Sequence, residues 1–362
     1  MKFRCERQAL ADALAIVVRA SGSRTASSPV LAGVRIEVKG DSLSLACTDT
    51  DQIITCTIPV QGINNGVSVP RARLLNDIVR SLADGAVEVE VVGEDVVVSG
   101  GRSNFNVPTY MAQDFQVLPP AAAPDTSTDA EEFADALRQV ARTVKNQDDH
   151  PYRGVQISHD ADGVRLAATD NFRMALRKLP HSKILAVGEK VLVPGRALTE
   201  LERILPLSKD LVIRWADPTI TFITGTASLT TRTINGSLPD PKMFLDAQYP
   251  NTLTVNRELI LEALRRGKIV LPSSIGLKLH LSESGVRMEA ADRDLGRTEE
   301  DLDAEYTGAD LSITFNVDYL MAGIEVVETE YVRIAMKDSR SPAAVWAADN
   351  EDYSYFIMPI RA

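Results

Sequence analysis

Paired carboxylates are the first candidates for chemistry in this sequence. Thr48-Asp49-Thr50-Asp51 and Asp292-Arg293-Asp294 each set two acids two residues apart, and Asp148-Asp149-His150 adds an imidazole to an acidic pair. Such pairs can divide acid and base roles, or hold a divalent cation with histidine as a further ligand. The context argues against each. The four histidines, His150, His159, His181 and His280, show no pairwise metal spacing. Asp148-Asp149-His150 reads as a polar loop ahead of Pro151. The chain carries no GxxxxGKS/T phosphate loop, no GxGxxG after a strand, no HExxH and no GxSxG. Asp49 and Asp292 moreover occupy equivalent places in a repeat, where an aspartate caps a turn through its side chain. No catalytic residue, metal ligand or cofactor site is therefore assigned.

That repeat organises the chain. Leu45-Ala46-Cys47-Thr48-Asp49 returns as Leu166-Ala167-Ala168-Thr169-Asp170 and again as Met288-Glu289-Ala290-Ala291-Asp292. The aspartates are 121 and 122 residues apart in a chain of 362. A period of this length is a whole small domain, so the expected domains are 1–122, 127–248 and 251–362. Pro119-Pro120-Ala121-Ala122-Ala123-Pro124 reads as the first linker and Tyr249-Pro250-Asn251 as the second.

Each unit must position its residues on similar elements. Helical spacing of apolar residues predicts helices over Gln8 to Arg19, Glu131 to Lys145 and Arg257 to Lys268, with Ser127-Thr128-Asp129 capping the second. A second helix per unit follows Val67-Ser68-Val69-Pro70, Val191-Leu192-Val193-Pro194 and Ser312-Ile313-Thr314-Phe315-Asn316. Alternating runs around Gly40-Asp41, Gly93-Glu94-Asp95, Asp160-Ala161-Asp162-Gly163 and Glu283-Ser284-Gly285 predict hairpins. Two helices and many antiparallel strands per unit make the fold class α+β, with three similar domains.

Composition narrows the class. The chain is 44% hydrophobic and 25% charged, as expected of a soluble globular protein. No apolar run has the length of a membrane span, and Met1-Lys2-Phe3-Arg4-Cys5-Glu6 lacks a signal-peptide layout, so a cytoplasmic location is expected. Cys5, Cys47 and Cys56 have no CxxC spacing and read as buried free thiols. A net charge of −11 speaks against nucleic acid, but its distribution does not. Arg138, Arg142 and Lys145 share a helical face; Arg71, Arg73, Arg80, Arg196, Arg203, Arg257, Arg265, Arg266 and Lys268 lie on or beside other helices. Acids crowd the strands instead, as in Glu88-Val89-Glu90 and Glu299-Glu300-Asp301-Leu302-Asp303. A basic surface on an acidic protein can hold a polyanion there and repel it elsewhere.

Met1-Lys2-Phe3 with Glu6-Arg7, Pro29 to Gly33, Ser99-Gly100-Gly101-Arg102-Ser103, Ala168 to Arg173, Asn235 to Asp240, Phe315 to Tyr319 and Tyr355-Phe356-Ile357-Met358-Pro359-Ile360-Arg361 stand in one order over the whole length. In these motifs the chain resembles the bacterial sliding clamps, the beta subunits of DNA polymerase III. The resemblance implies a head-to-tail homodimer closing a six-domain ring around duplex DNA. Such a ring slides without sequence specificity, meets phosphate rather than base edges, has no enzymatic activity and acts on the nucleoid. It implies Arg24, Arg73, Arg80, Gln147 and Arg196 as DNA-facing residues. It implies Phe105 and Val107 packed against Ile269 and Leu271 of the neighbouring chain, with Arg73 and Arg102 facing Glu299 and Glu300.

The resemblance also implies a groove between the second and third units that takes short linear motifs of the replicative polymerase, the clamp loader and repair proteins. Its lining would be Tyr152, Thr169, Asn171, Phe172, Arg173 and Met174, then Pro239, Met243, Phe244, Asn316, Tyr319 and Pro342, then Ile357, Met358, Pro359, Ile360, Arg361 and Ala362. The family often has Gly-His where this chain has Asn171-Phe172, a basic residue at Met243 and a final Leu at Ala362. A peptide-binding scaffold that never encircles DNA is the alternative from another class; a nuclease using Asp148, Asp149 and His150 is a third.

Overall fold

The structure is a computed structural model and describes residues 1–22, 28–144, 151–271, 276–348 and 352–361. Arg24, Lys145, Gln147, Asp148, Asp149, His150 and Ala362, named above, lie outside the described residues. Seven helices are present among the described residues: α1 (Arg7–Val17), α2 (Ala72–Ser81), α3 (Ala130–Ala141), α4 (Gly195–Ile204), the single turn α5 (Lys242–Leu245), α6 (Arg257–Lys268) and α7 (Val317–Glu325). Of the six longer ones, α1, α3 and α6 stand where apolar spacing puts them, and α2, α4 and α7 follow the strand runs that predicted a helix start. Their buried faces carry Leu10, Leu14 and Val17, or Phe133, Leu137 and Val140, or Ile260, Leu261 and Leu264. Each such side chain taken from water contributes about 1.5–3 kcal/mol. Asp129 caps α3 by accepting the Glu132 N–H at 2.8 Å. Asn256 accepts the Glu258 and Leu259 N–H groups ahead of α6, and Asn316 accepts the Tyr319 N–H ahead of α7.

The predicted hairpins form. Arg35–Lys39 pairs with Ser42–Thr48, Ala86–Val92 with Asp95–Gly100, Gly154–Asp160 with Gly163–Thr169, and Gly276–Ser282 with Gly285–Asp292. Gly40 (φ 56°) and Gly93 (φ 62°) supply the left-handed turn residue in the first two. The three cysteines are free; burial pushes the Cys5 thiol up to about 11 and the wholly buried Cys47 higher still. No helix among the described residues is long and apolar enough to cross a membrane.

Two compact units emerge, and both cut across the sequence period. The first comprises residues 1–134, 182–185 and 196–234; the second comprises 135–181, 186–195 and 235–362. In the first, a thirteen-stranded sheet joins Ala227–Arg232 antiparallel to Gln52–Pro59. In the second, a nine-stranded sheet joins Tyr353–Ile357 antiparallel to Arg173–Leu179, and a separate four-stranded sheet ends on Gly296–Leu302. Continuous backbone pairing thus runs from one repeat into the next, which satisfies backbone N–H and C=O groups across the seams. The proline-rich stretch after residue 118 is itself docked: the Ala121 N–H donates to Thr221 Oγ1 at 2.9 Å, and Leu118 and Ala121 are buried.

Candidate functional site

The site begins with a tight turn. Thr169 Oγ1 donates to the Arg173 carbonyl at 2.7 Å and accepts the Asn171 N–H at 3.2 Å. Asp170, 2% exposed, accepts the Phe172 and Arg173 N–H groups at 3.0 and 3.1 Å through Oδ1. Its Oδ2 accepts Arg173 Nε at 2.9 Å. Asn171 sits at φ 77°, where asparagine is among the most tolerated non-glycine residues. The aspartate is therefore a turn-former, as the repeat implies. The equivalent Asp292 accepts the Asp294 and Leu295 N–H groups at 2.8 and 2.9 Å, and these bonds hold its pKa below the ordinary value.

The turn presents Phe172 to solvent and ties it to the C-terminal strand, because the Met358 N–H donates to the Phe172 carbonyl at 2.8 Å. Arg173 points the other way. Its guanidinium lies 4.2 Å from the Tyr319 ring centroid and donates to the Arg142 carbonyl at 3.0 Å. Burial opposes its charge, yet Tyr355 and Asp170 hold its pKa above the usual arginine value. The Tyr355 hydroxyl donates to the Tyr319 carbonyl at 2.7 Å and fixes α7 against the strand Tyr353–Ile357.

Between the turn and that strand lies an apolar cleft of about 90 Å³, lined by Thr169, Asn171, Phe172, Arg173, Met174, Pro239, Phe244, Pro342, Phe356, Ile357 and Met358. Phe244 stacks on Phe356 with centroids 5.2 Å apart, and Tyr249 braces Phe244 by donating to its carbonyl at 2.9 Å. The Leu238 N–H donates to Gln156 Oε1 at 2.9 Å, which holds Pro239 in place. Among the described residues one charge lines the cleft, that of Arg173, and it is committed to Asp170 and Tyr319. The lining offers apolar and aromatic area with polar rims, suited to anchoring side chains of another polypeptide.

Ten of the residues expected at this groove line the cleft. Tyr319 supports it from behind through Arg173 and the Phe172 ring, 6.5 Å away. Asn316 is the α7 cap instead. Met243 is 69% exposed beside Phe244, and Tyr152 does not line the cleft. Pro359 is buried, while Ile360 and Arg361 line a different, basic cleft. Phe356 is the lining residue that sequence reading missed. Its strand is buried along its whole length, so alternation gave no sign of a face.

The basic residues divide. Arg73 and Arg80 are exposed on α2 and make no ion pair among the described residues. Arg196 is exposed on α4 but lies 2.8 Å from Asp49. Arg138, Arg142, Arg203 and Lys268 pair with Asp135, Glu325, Glu200 and Asp318. The helix-borne cations are thus not one unpaired face, because acids on the same helix, as Asp135 and Glu200, on α7, as Glu325 and Asp318, or in a turn, as Asp49, neutralise many of them. Among residues expected at a chain–chain contact, Phe105 and Ile269 are exposed, at 36% and 77%. Val107 and Leu271 are both buried in the single chain. Arg102 is exposed and unpaired among the described residues; Glu300 is held by Arg266 at 2.6 Å, and Glu299 by Arg297.

Known proteins share this architecture from end to end. Residues 1–119, 127–240 and 243–361 match, in order, the N-terminal, central and C-terminal domain models of the DNA polymerase III beta subunit. The beta sliding clamp of Pseudomonas putida is 30% identical over 370 residues, covering 100% of both chains. The crystal structure of DNA polymerase III subunit beta from Pseudomonas aeruginosa superposes with TM-score 0.95 at 29% identity, again over 100% of both chains. A sliding clamp from the same organism, bound to griselimycin, superposes at 0.94 with 29% identity and the same coverage.

Proposed function

The chain belongs to the DNA polymerase III beta subunit family, and from that premise we propose how it works as a DNA sliding clamp. It acts by topology rather than by chemistry: three clamp domains, 1–122, 127–248 and 251–362, pair with those of a second copy to close a ring around duplex DNA. The three family matches, in order over the full length, are the observation that carries this reading.

Closure needs two complementary edges. Ser103–Tyr110 pairs along one side with Asp95–Gly100, and on its other side, among the described residues, only Thr109 and Tyr110 are paired. Gly296–Leu302 is the edge of its four-stranded sheet. Joining these edges head to tail removes both from solvent and closes a heterologous contact. Phe105 and Ile269 supply the exposed apolar anchors, and Arg102 an exposed cation. Arg73 and Arg80, together with Arg24, Gln147 and Arg196, face the duplex. Their contacts reach phosphate only, so they are salt-sensitive and permit sliding. The cleft beside Phe172 docks linear motifs of the replicative polymerase, the clamp loader and repair proteins in the cytoplasm, at the nucleoid. No proton-transfer group is needed for any of this.

Loading on nicked circular DNA with a matching clamp loader and ATP tests the ring. Expected is retention on the circle at salt that strips ordinary contacts, followed by loss once the circle is cut. Loss from the intact circle, with the loader active on a control clamp, would leave a peptide-binding scaffold.

A further inference from the structure

Lys278, Ser312, Thr314, Ser339, Arg340 and Arg361 surround a cleft of about 490 Å³ in the third repeat. Three cations and three hydroxyls face one space, in a chain whose net charge is −11. None of the three cations makes an ion pair among the described residues. The nearby acids are already engaged. Glu289, opposite Lys278 in the sheet register, lies 2.8 Å from His280 Nε2 and 3.3 Å from Arg297. Asp338 accepts the Arg340 and Ser341 N–H groups at 2.8 and 2.7 Å and the Ser341 hydroxyl at 2.9 Å.

The walls are pinned as well as charged. The Ile360 N–H donates to the Thr314 carbonyl at 2.8 Å, seating the C-terminal tail along the sheet. Gly276 permits that approach: a Cβ there would lie 2.3 Å from Thr314 Cγ2 and 2.9 Å from Ile360 Cδ1. The same tail enters the apolar cleft at Met358. Met358 to Arg361 spans about 10 Å of extended chain. A polypeptide anchored beside Phe172 therefore reaches the cations within a few residues.

We propose that the Lys278–Arg340–Arg361 cleft receives an acidic stretch flanking the apolar anchor of a partner polypeptide. Recognition then has two parts, apolar side chains in the groove and carboxylates in the cleft. This rests on the groove being the docking site proposed above. Carboxylates fit the donor set, since guanidinium forks and hydroxyls match their two oxygens, and complementary charge selects partners and speeds encounter.

The probe is a fluorescein-labelled peptide with Leu and Phe anchors, extended at one end or the other by three Asp or three Ser residues. Titration with the full chain reads affinity. Extension with Asp at one end raises affinity about tenfold over Ser at low salt, and the gain shrinks at high salt. The gain is lost in the Lys278→Ala/Arg340→Ala variant, while the Ser peptide binds that variant and the parent alike, which also reports intact folding. Equal affinity of Asp and Ser peptides for the parent overturns the proposal and leaves the groove standing, as does a gain that survives the double substitution. Binding of neither peptide overturns the groove and this proposal together. An oligonucleotide that loses affinity in the double variant, with peptides unaffected, assigns the cleft to phosphate and overturns it too.

Discussion

The turn Thr48–Gln52 and the turn Thr169–Arg173 are built alike and end in opposite chemistry. Each threonine hydroxyl donates to the carbonyl four residues on, at 2.7 Å in both. Each aspartate Oδ1 accepts the N–H groups two and three residues on. Thr50 and Asn171 both take positive φ, at 85° and 77°. Each turn leads into a strand that pairs with the last strand of the next repeat, and even the closing bond is the same. The Arg232 N–H donates to the Asp51 carbonyl at 3.0 Å; the Met358 N–H donates to the Phe172 carbonyl at 2.8 Å. Asp51 and Arg232 thus stand where Phe172 and Met358 stand. One copy of the junction carries charges at its tip, and the other lines an apolar cleft. The backbone device is scaffold, and a pair of side chains decides what it can hold.

The largest effect should come from exchanging those side chains. Phe172→Asp with Met358→Arg gives the second junction the tip of the first, and should weaken an apolar peptide by about 100-fold or more in fluorescence anisotropy. Unchanged affinity would mean that the tip does not define the groove. The aspartates should separate next. Asp170→Asn leaves the buried Arg173 without its carboxylate and should cost about 2 kcal/mol in urea unfolding, moderated by the contacts Arg173 keeps with Tyr319 and Arg142. Asp49→Asn should cost under about 1 kcal/mol, because its partner Arg196 is 69% exposed. Equal costs would break the distinction between a structural and a surface pair. The threonines should differ least in stability: Thr48→Ala and Thr169→Ala should each lose about 1 kcal/mol. Only Thr169→Ala should also alter peptide affinity.

Much of this was legible residue by residue. Helical spacing identified α1, α3 and α6, because burying one stripe of a helix imposes a 3.6-residue period, and the strand runs ending at a helix start identified α2, α4 and α7. The Asp49, Asp170 and Asp292 turns were legible because an Asx turn is local, made between neighbours in the chain. Partners far apart in sequence were not. The Arg196–Asp49 and Arg266–Glu300 pairs join side chains on separate elements, so reading the helices alone overstated their free charge. Val107 and Leu271 were named through the family resemblance alone; their burial depends on what the single chain packs over them, which no local pattern shows.

The sequence by itself determined the threefold repeat, the α+β class, the turn chemistry and the family. These follow from local preference and from motifs kept in order. Only the tertiary structure decided that sheets run on from one repeat into the next, that Phe356 completes the apolar cleft, and that Lys278, Arg340 and Arg361 share a space. The physical reason is distance along the chain: such neighbours are brought together by strand pairing and burial, and neither is written in the residues next door.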